Sequence, residues 1–195
     1  VTTIVSMWGE CGPRPEPNHA LDELFGSMSA TESIRLSCTP EATWALISEI
    51  ERMGEFSPEC VEAWWVNGFP ARSVGGRFEG RNRIQRGDAI YEWIRPCDVT
   101  KWSPPATFSY TVGDRFDGSP STCWTFSVQP DADAVTLRQE FAHVADGLSG
   151  IRGMAELDPP AARRVVADRL SQLHDAMRQT LTAMKLVLEQ TSTRA

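Results

Sequence analysis

One apolar stripe dominates the end of the chain: Val166, Leu170, Leu173, Met177, Leu181, Met184 and Leu188 follow one another at steps of 4, 3, 4, 4, 3 and 4. These steps track the 3.6-residue turn, so the stripe lies along one face of a long helix. Upstream the hydrophobic period is two. Residues 61–66 lead to a turn around Asn67-Gly68, which Phe69-Pro70 makes longer than a minimal hairpin. Phe78, Gly80, Asn82 and Ile84 alternate with Arg77, Glu79, Arg81, Arg83 and Gln85, giving one dry and one wet face. Gly87-Asp88 turns the chain into a strand over residues 91–102, which Pro104-Pro105 ends. Residues 107–112 put Phe108, Tyr110 and Val112 on one side, and residues 122–128 do the same for Trp124, Phe126 and Val128. Asp131-Ala132-Asp133 then turns into residues 135–143, where Val135, Leu137 and Phe141 share a face. With an earlier half-buried strand over residues 31–38, the pattern predicts seven strands in an antiparallel meander. A long helix after a run of strands must bury its stripe against their sheet, which sets the class as α+β.

Two short helices are expected after the first strand. Thr39 is a good N-cap and Pro40 suits the first helical position. Trp44, Ile47, Ile50 and Met53 then recur at three-residue steps toward Gly54, and Phe56-Ser57-Pro58-Glu59 opens a second helical turn. Both periods fail over residues 144–160, where Gly147, Gly150 and Gly153 alternate with Leu148, Ile151, Met154 and Leu157. An apolar, glycine-punctuated connection of this length is either a lid over a pocket or packing for the last helix. Residues 1–29 carry no hydrophobic period and contain Pro13, Pro15 and Pro17, which predicts a disordered or loosely packed extension that stability does not need. A short helix over residues 18–25 would have little consequence. Residue 1 is Val and Met28 precedes the first convincing strand, so residues 1–27 are either an upstream extension or an authentic tail. The chain therefore divides into the extension 1–29, one domain over 30–190 and a flexible tail over 191–195.

At 195 residues, 41% hydrophobic and 23% charged, the chain has the make-up of one soluble globular domain with a sizeable core. A net charge of −7 argues against nucleic acid as a partner. No run of apolar residues is long enough for an integral membrane segment, and the first residues lack a secretory pattern, so a cytoplasmic protein is expected. Five widely spaced cysteines, with no C-x-x-C pair and no histidine among them, are expected to be reduced and to hold no metal. No motif calls for a cofactor: Gly75-Gly76 with Gly80 lacks the G-K-[ST] of a phosphate loop, and neither G-x-S-x-G nor H-E-x-x-H occurs. The sequence leaves a homodimer open.

The order strand, two helices, six strands, long helix resembles the START-like helix-grip (SRPBCC) superfamily, and within it the polyketide cyclase/dehydrase and lipid-transport family. The segments that carry this are Thr39-Pro40-Glu41-Ala42-Thr43-Trp44, Val74-Gly75-Gly76-Arg77-Phe78, Tyr91-Glu92-Trp93 through Cys97-Asp98-Val99, and Thr180-Leu181-Thr182-Ala183-Met184-Lys185. The likeness spans roughly residues 30–190, with Thr43 at a commonly apolar position and a longer connection over 147–158. It implies a seven-stranded curved antiparallel sheet wrapped around the C-terminal helix, with an apolar cavity between them. The family has carriers and cyclases but no shared catalytic set, so function must be argued from the site.

Strand alternation nominates that site. If Trp93, Cys97 and Val99 face inward, so does Arg95, while Glu92, Ile94 and Asp98 face out. The same logic puts Asn82 beside Phe78 and Ile84, and Gln139 and His143 beside Leu137 and Phe141. Tyr110, Trp124 and mid-stripe Met177 complete the expected lining, with His174 flanking the stripe. An inward Arg95 needs a carboxylate, a carbonyl or a bound anion as partner. His143 and His174 could instead be structural, and Asn82 and Gln139 could serve neighbouring strands. Trp64-Trp65 sends its rings to opposite faces, and Arg77, Arg81, Arg83 and Arg86 form a solvated stripe that could meet an acidic partner or lipid headgroups. The leading expectation is binding or transport of a small hydrophobic or amphipathic ligand such as a lipid, polyketide or aromatic metabolite. The second is a cyclase/dehydrase-type enzyme in the same cavity, with Arg95 polarising a carbonyl and His143 or His174 moving a proton. The third is a protein-interaction or regulatory module.

Overall fold

The computed structural model describes residues 3–6 and 16–192. Its strands are β1 (Thr3–Ser6), β2 (Ser29–Leu36), β3 (Cys60–Trp65), β4 (Arg77–Arg86), β5 (Ala89–Ser103), β6 (Thr107–Gly113), β7 (Pro120–Asp131) and β8 (Ala134–His143). Its helices are α1 (His19–Gly26), α2 (Pro40–Ser48), α3 (Met53–Phe56), α4 (Gly150–Leu157) and α5 (Ala162–Ser192). Seven strands form the expected antiparallel sheet in the order β2-β8-β7-β6-β5-β4-β3. The meander is interrupted only where β2 joins the far edge beside β8. Register shifts at Cys60/Glu62, Val99/Lys101 and Val112/Gly113 bend the strands they interrupt, as bulges do. The sheet so curved wraps α5, whose 31 residues bury Val166, Leu173, Met177, Leu181, Met184 and Leu188. No described helix is long and apolar enough to cross a membrane.

Local chemistry explains the short elements. Thr39 Oγ1 accepts from the Ala42 amide at 3.1 Å, with Pro40 in the first turn of α2. The apolar steps expected to continue to Gly54 instead break at Glu49 and resume as a 3-10 turn (Ile50–Arg52) and α3. The break lets α3 lie against β3: a Cβ on Gly54 would stand 2.3 Å from the Val61 carbonyl oxygen, a contact only glycine permits. Gly147 is held as closely, 2.6 Å from the Ser121 oxygen by the same measure.

The core forms two clusters. One gathers Leu46, Ile50, Phe78, Phe108, Phe126 and Leu137 around Leu181, Met184 and Leu188 of α5. The other gathers Leu21, Phe25, Met28, Phe141 and Ala155 around Val166, Leu173 and Met177. The helix stripe belongs to both.

Two expectations for the N-terminal segment need correction. Residues 18–28 are packed: Asn18 caps α1, and Leu21, Phe25 and Met28 are buried in the second cluster. Leu21, Leu24, Phe25 and Met28 stand at i, i+3, i+4 and i+7, one short helical face, which fits against β8, α4 and α5. Thr3–Ser6 also pairs in parallel with residues 89–92 of β5, a stretch of strand that β6 does not reach. The expectations resting on Pro13 and Pro15 lie outside the described residues, as do the last three residues of the tail. Thr191 and Ser192 still belong to α5.

Phe25 is fully buried, so Phe25→Ala is expected to cost about 3–5 kcal/mol in urea unfolding. A loss below about 1 kcal/mol would mean that α1 lies outside the cooperative unit.

Candidate functional site

A cavity of about 380 Å³ lies where the two clusters part. The concave faces of β3 to β8 form one wall, and α4 and α5 form the other. Volume of this order suits a small molecule. Because side chains alternate along each strand, the lining residues come from the inward row.

Asn82, Trp93, Arg95 and Tyr110 line the cavity from β4 to β6, and Trp124, Gln139 and His143 line it from β7 and β8. Met177 faces them from α5. Asn82 Nδ2 donates to the Gly80 carbonyl at 3.1 Å, and Arg95 Nη1 donates to the Ile94 carbonyl at 2.8 Å. Tyr110 stacks edge-on to Phe78 and Trp124 edge-on to Phe141, each with ring centres 5.0 Å apart. His174 does not line the cavity. With Leu173 and Met177 inward, position 174 turns toward the β2 edge, where its Nδ1 lies 2.7 Å from Glu32 Oε1.

The polar lining is largely committed or neutral. Val144 O can only accept, so His143 Nδ1 carries the proton and donates to it at 2.6 Å. His143 Nε2 is then the acceptor for the Ser149 hydroxyl at 2.7 Å. Burial, opposed by the Val144 carbonyl and reinforced by the Arg152 charge, brings the imidazole down to about 4. Burial pushes the Cys60 thiol up to about 11 and raises the Cys97 thiol and Tyr110 phenol well above their ordinary values. All three stay protonated near neutral pH. Cys38, Cys60, Cys97 and Cys123 are free thiols, while Cys11 lies outside the described residues. Among the described residues no cluster of His, Cys, Asp or Glu could hold a metal ion.

Sequence reasoning missed three parts of this site. Residues 150–157, expected as an irregular connection, form α4, with Ser149 Oγ accepting from the Arg152 amide and with Ile151 and Met154 on the cavity wall. Ser149 in front of an apolar step of three was the available signal. Arg152 is 2% exposed, donating to Asp22 of α1, to the Ala145 carbonyl and to Glu156. No period reveals a buried arginine whose partners are that far apart in the chain. Glu59 and Arg169 form a two-pronged ion pair on the cavity lining, with Nη2 to Oε2 at 2.7 Å. On the outer face, Arg77, Arg81 and Arg83 each pair with a cross-strand carboxylate: Asp98, Glu62 and Glu92. That pairing occupies three of the four arginines of the stripe expected to meet headgroups or acidic partners, and the Arg86 side chain lies outside the described residues.

The model of a family described as polyketide cyclase / dehydrase and lipid transport matches residues 27–189. The fold is similar to a polyketide-cyclase-like protein of Corynebacterium glutamicum (TM-score 0.58, 23% identity, covering 83% of this chain and 91% of that one). It is similar to a protein of Chromobacterium violaceum (0.57, 13%, 83% and 97%). It is also similar to the di-domain ARO/CYC StfQ of the steffimycin biosynthetic pathway (0.60, 9%), covering 86% of this chain and 52% of that one. No curated protein matches.

The His143 clamp gives a pH signature. Its folded pKa lies below the unfolded value near 6.5, so between about pH 6.5 and 4 the unfolded chain takes up a proton that the folded one does not. Stability is full above that window and falls through it, by on the order of 3 kcal/mol for a shift of this size. Urea midpoints across pH 4–8 should therefore fall more steeply for the wild type than for His143→Gln. Parallel profiles would show that His143 is not held neutral.

Proposed function

The chain belongs to the polyketide cyclase/dehydrase and lipid transport family, and from that premise we propose that it binds a small hydrophobic or amphipathic molecule in the cavity between sheet and α5. The observation that carries this is the parted core. Buried residues of both clusters, Phe78 and Phe108 from one and Phe141, Leu173 and Met177 from the other, border a shared space of about 380 Å³. Close packing is the norm in protein interiors, and an unfilled space of this size forfeits dispersion contacts that a ligand restores.

The chemistry of the lining supports binding over turnover. A cyclase needs a base beside the carbonyl that Arg95 would polarise. His143 has both ring nitrogens engaged, and the thiols and phenol are held protonated. Glu59 is tied to Arg169. Transport, as distinct from storage or sensing, draws its support from the family alone.

Ala63 is buried on β3 with its side chain at the cavity, so Ala63→Leu serves as a plug. With N-phenyl-1-naphthylamine as the probe, the wild type should bind with a rise in fluorescence. The variant should bind at least tenfold more weakly while its melting temperature is unchanged or raised. No binding by the wild type would overturn the reading. So would a loss of about 1–3 kcal/mol in the variant with binding unchanged, the result expected of overpacking a filled core.

A further inference from the structure

Gln139 stands on the inward row of β8 between Leu137 and Phe141, with Phe126 directly opposite on β7. Leu137 and Phe126 belong to one core cluster and Phe141 to the other, so this side chain sits at the seam where the cavity opens. It is 6% exposed, and its Oε1 has no hydrogen-bond partner. Among the described residues two other buried side-chain atoms share that condition, Trp65 Nε1 and Arg138 Nε, and neither residue lines the cavity. A buried amide oxygen without a donor costs as much as a lost hydrogen bond, and β8 could have carried a leucine there as it does at 137.

We propose that Gln139 is the internal anchor for the ligand's polar end, and that this end is an uncharged hydroxyl group. The inference rests on the reading of the cavity as a ligand site. The unmet atom is an acceptor, so the ligand must bring a donor. A carboxylate brings acceptors alone, and a ketone or ether brings no donor. A hydroxyl donates to Oε1, and if the amide is turned over it accepts from Nε2, so it fits either orientation of the carboxamide. The surrounding wall suits a neutral group as well. The lining residues from β7 and β8 are Ser121, Thr122, Trp124, Gln139, Phe141 and the neutral His143, and none carries a charge to meet an anion. The charged members of the lining, Arg95, Glu59 and Arg169, stand on β5, before β3 and on α5. The ligand is therefore an alcohol or phenol that enters hydroxyl first toward β8, with its apolar body between the two core clusters.

Calorimetric titration of the full chain with 2-naphthol, 2-methoxynaphthalene and 2-naphthoate tests this. The wild type should bind 2-naphthol roughly tenfold more tightly than the ether, which keeps the shape and loses the donor, and more tightly than the naphthoate. In Gln139→Leu and Gln139→Met the preference for 2-naphthol over the ether should collapse to within about twofold, with the ether bound at least as well as before. Equal wild-type affinity for 2-naphthol and the ether would overturn the inference, with water then meeting the amide, while leaving the cavity reading intact. A preference that survives in either folded variant would move the anchor elsewhere and overturn it too. Failure of all three probes to bind would sink the cavity reading and this inference together. Should neither variant fold, the wild-type comparison decides alone.

Discussion

The structure depends on one constraint: a single apolar stripe on α5 must cover the concave face of a bulged, seven-stranded sheet. The stripe meets the sheet closely toward its C-terminal end, where Leu181, Met184 and Leu188 pack with Phe108, Phe126 and Leu137. Toward its N-terminal end, Val166, Leu173 and Met177 pack with α1, α4 and Phe141. Between those regions residues of both clusters line a cavity, and the core parts. The apolar walls of the cavity are the same residues that bury the helix.

Closing the second region takes polar work that a core usually avoids. Arg152 is almost wholly buried, yet its guanidinium finds Asp22, Glu156 and a backbone carbonyl, and it lies over the Phe25 ring. Breaking such a network leaves a buried charge unmet, so its members hold α4 against α1 as a unit. His143 adds the second tie, joining the end of β8 to the Ser149 cap of α4 through a neutral ring. The histidine that lines the cavity is thus spent on holding its wall.

The candidate site was legible where period two decides which way a side chain faces. Arg95, Asn82, Gln139 and His143 were placed inward by counting from Trp93, Phe78, Leu137 and Phe141, and the pleat put them on the cavity side. Counting could not distinguish a histidine pinned at both nitrogens from one free to act, because its partners Val144 and Ser149 lie in a connection without a period. For His174 the helical stripe gave only proximity, and one residue of rotation carries the ring to Glu32 instead of the cavity. The short helix over residues 18–25 was legible but its burial was not: Leu21, Leu24, Phe25 and Met28 stand at helical spacing, yet the faces of β8, α4 and α5 that cover them lie far along the chain.

What the sequence determined by itself is the set of elements and their facing: seven strands with a dry side, a capped helix at Thr39-Pro40, and a C-terminal helix with one apolar stripe. Those follow from local periodicity and capping, which act over a few residues and leave their mark in a few residues. What only the tertiary structure decided is where the core fails to close, which polar groups are already spent and which one is left over. Gln139 and His143 stand on the same row of β8, but His143 closes the strand while Gln139 lies within it. Their difference arises from how the chain folds after β8: Val144 and the Ser149 cap of α4 come back onto the His143 ring, while the parted core leaves the Gln139 oxygen without a partner. Hydrogen-bond satisfaction in a buried site is a property of the whole fold, so it has no signature in the order of residues.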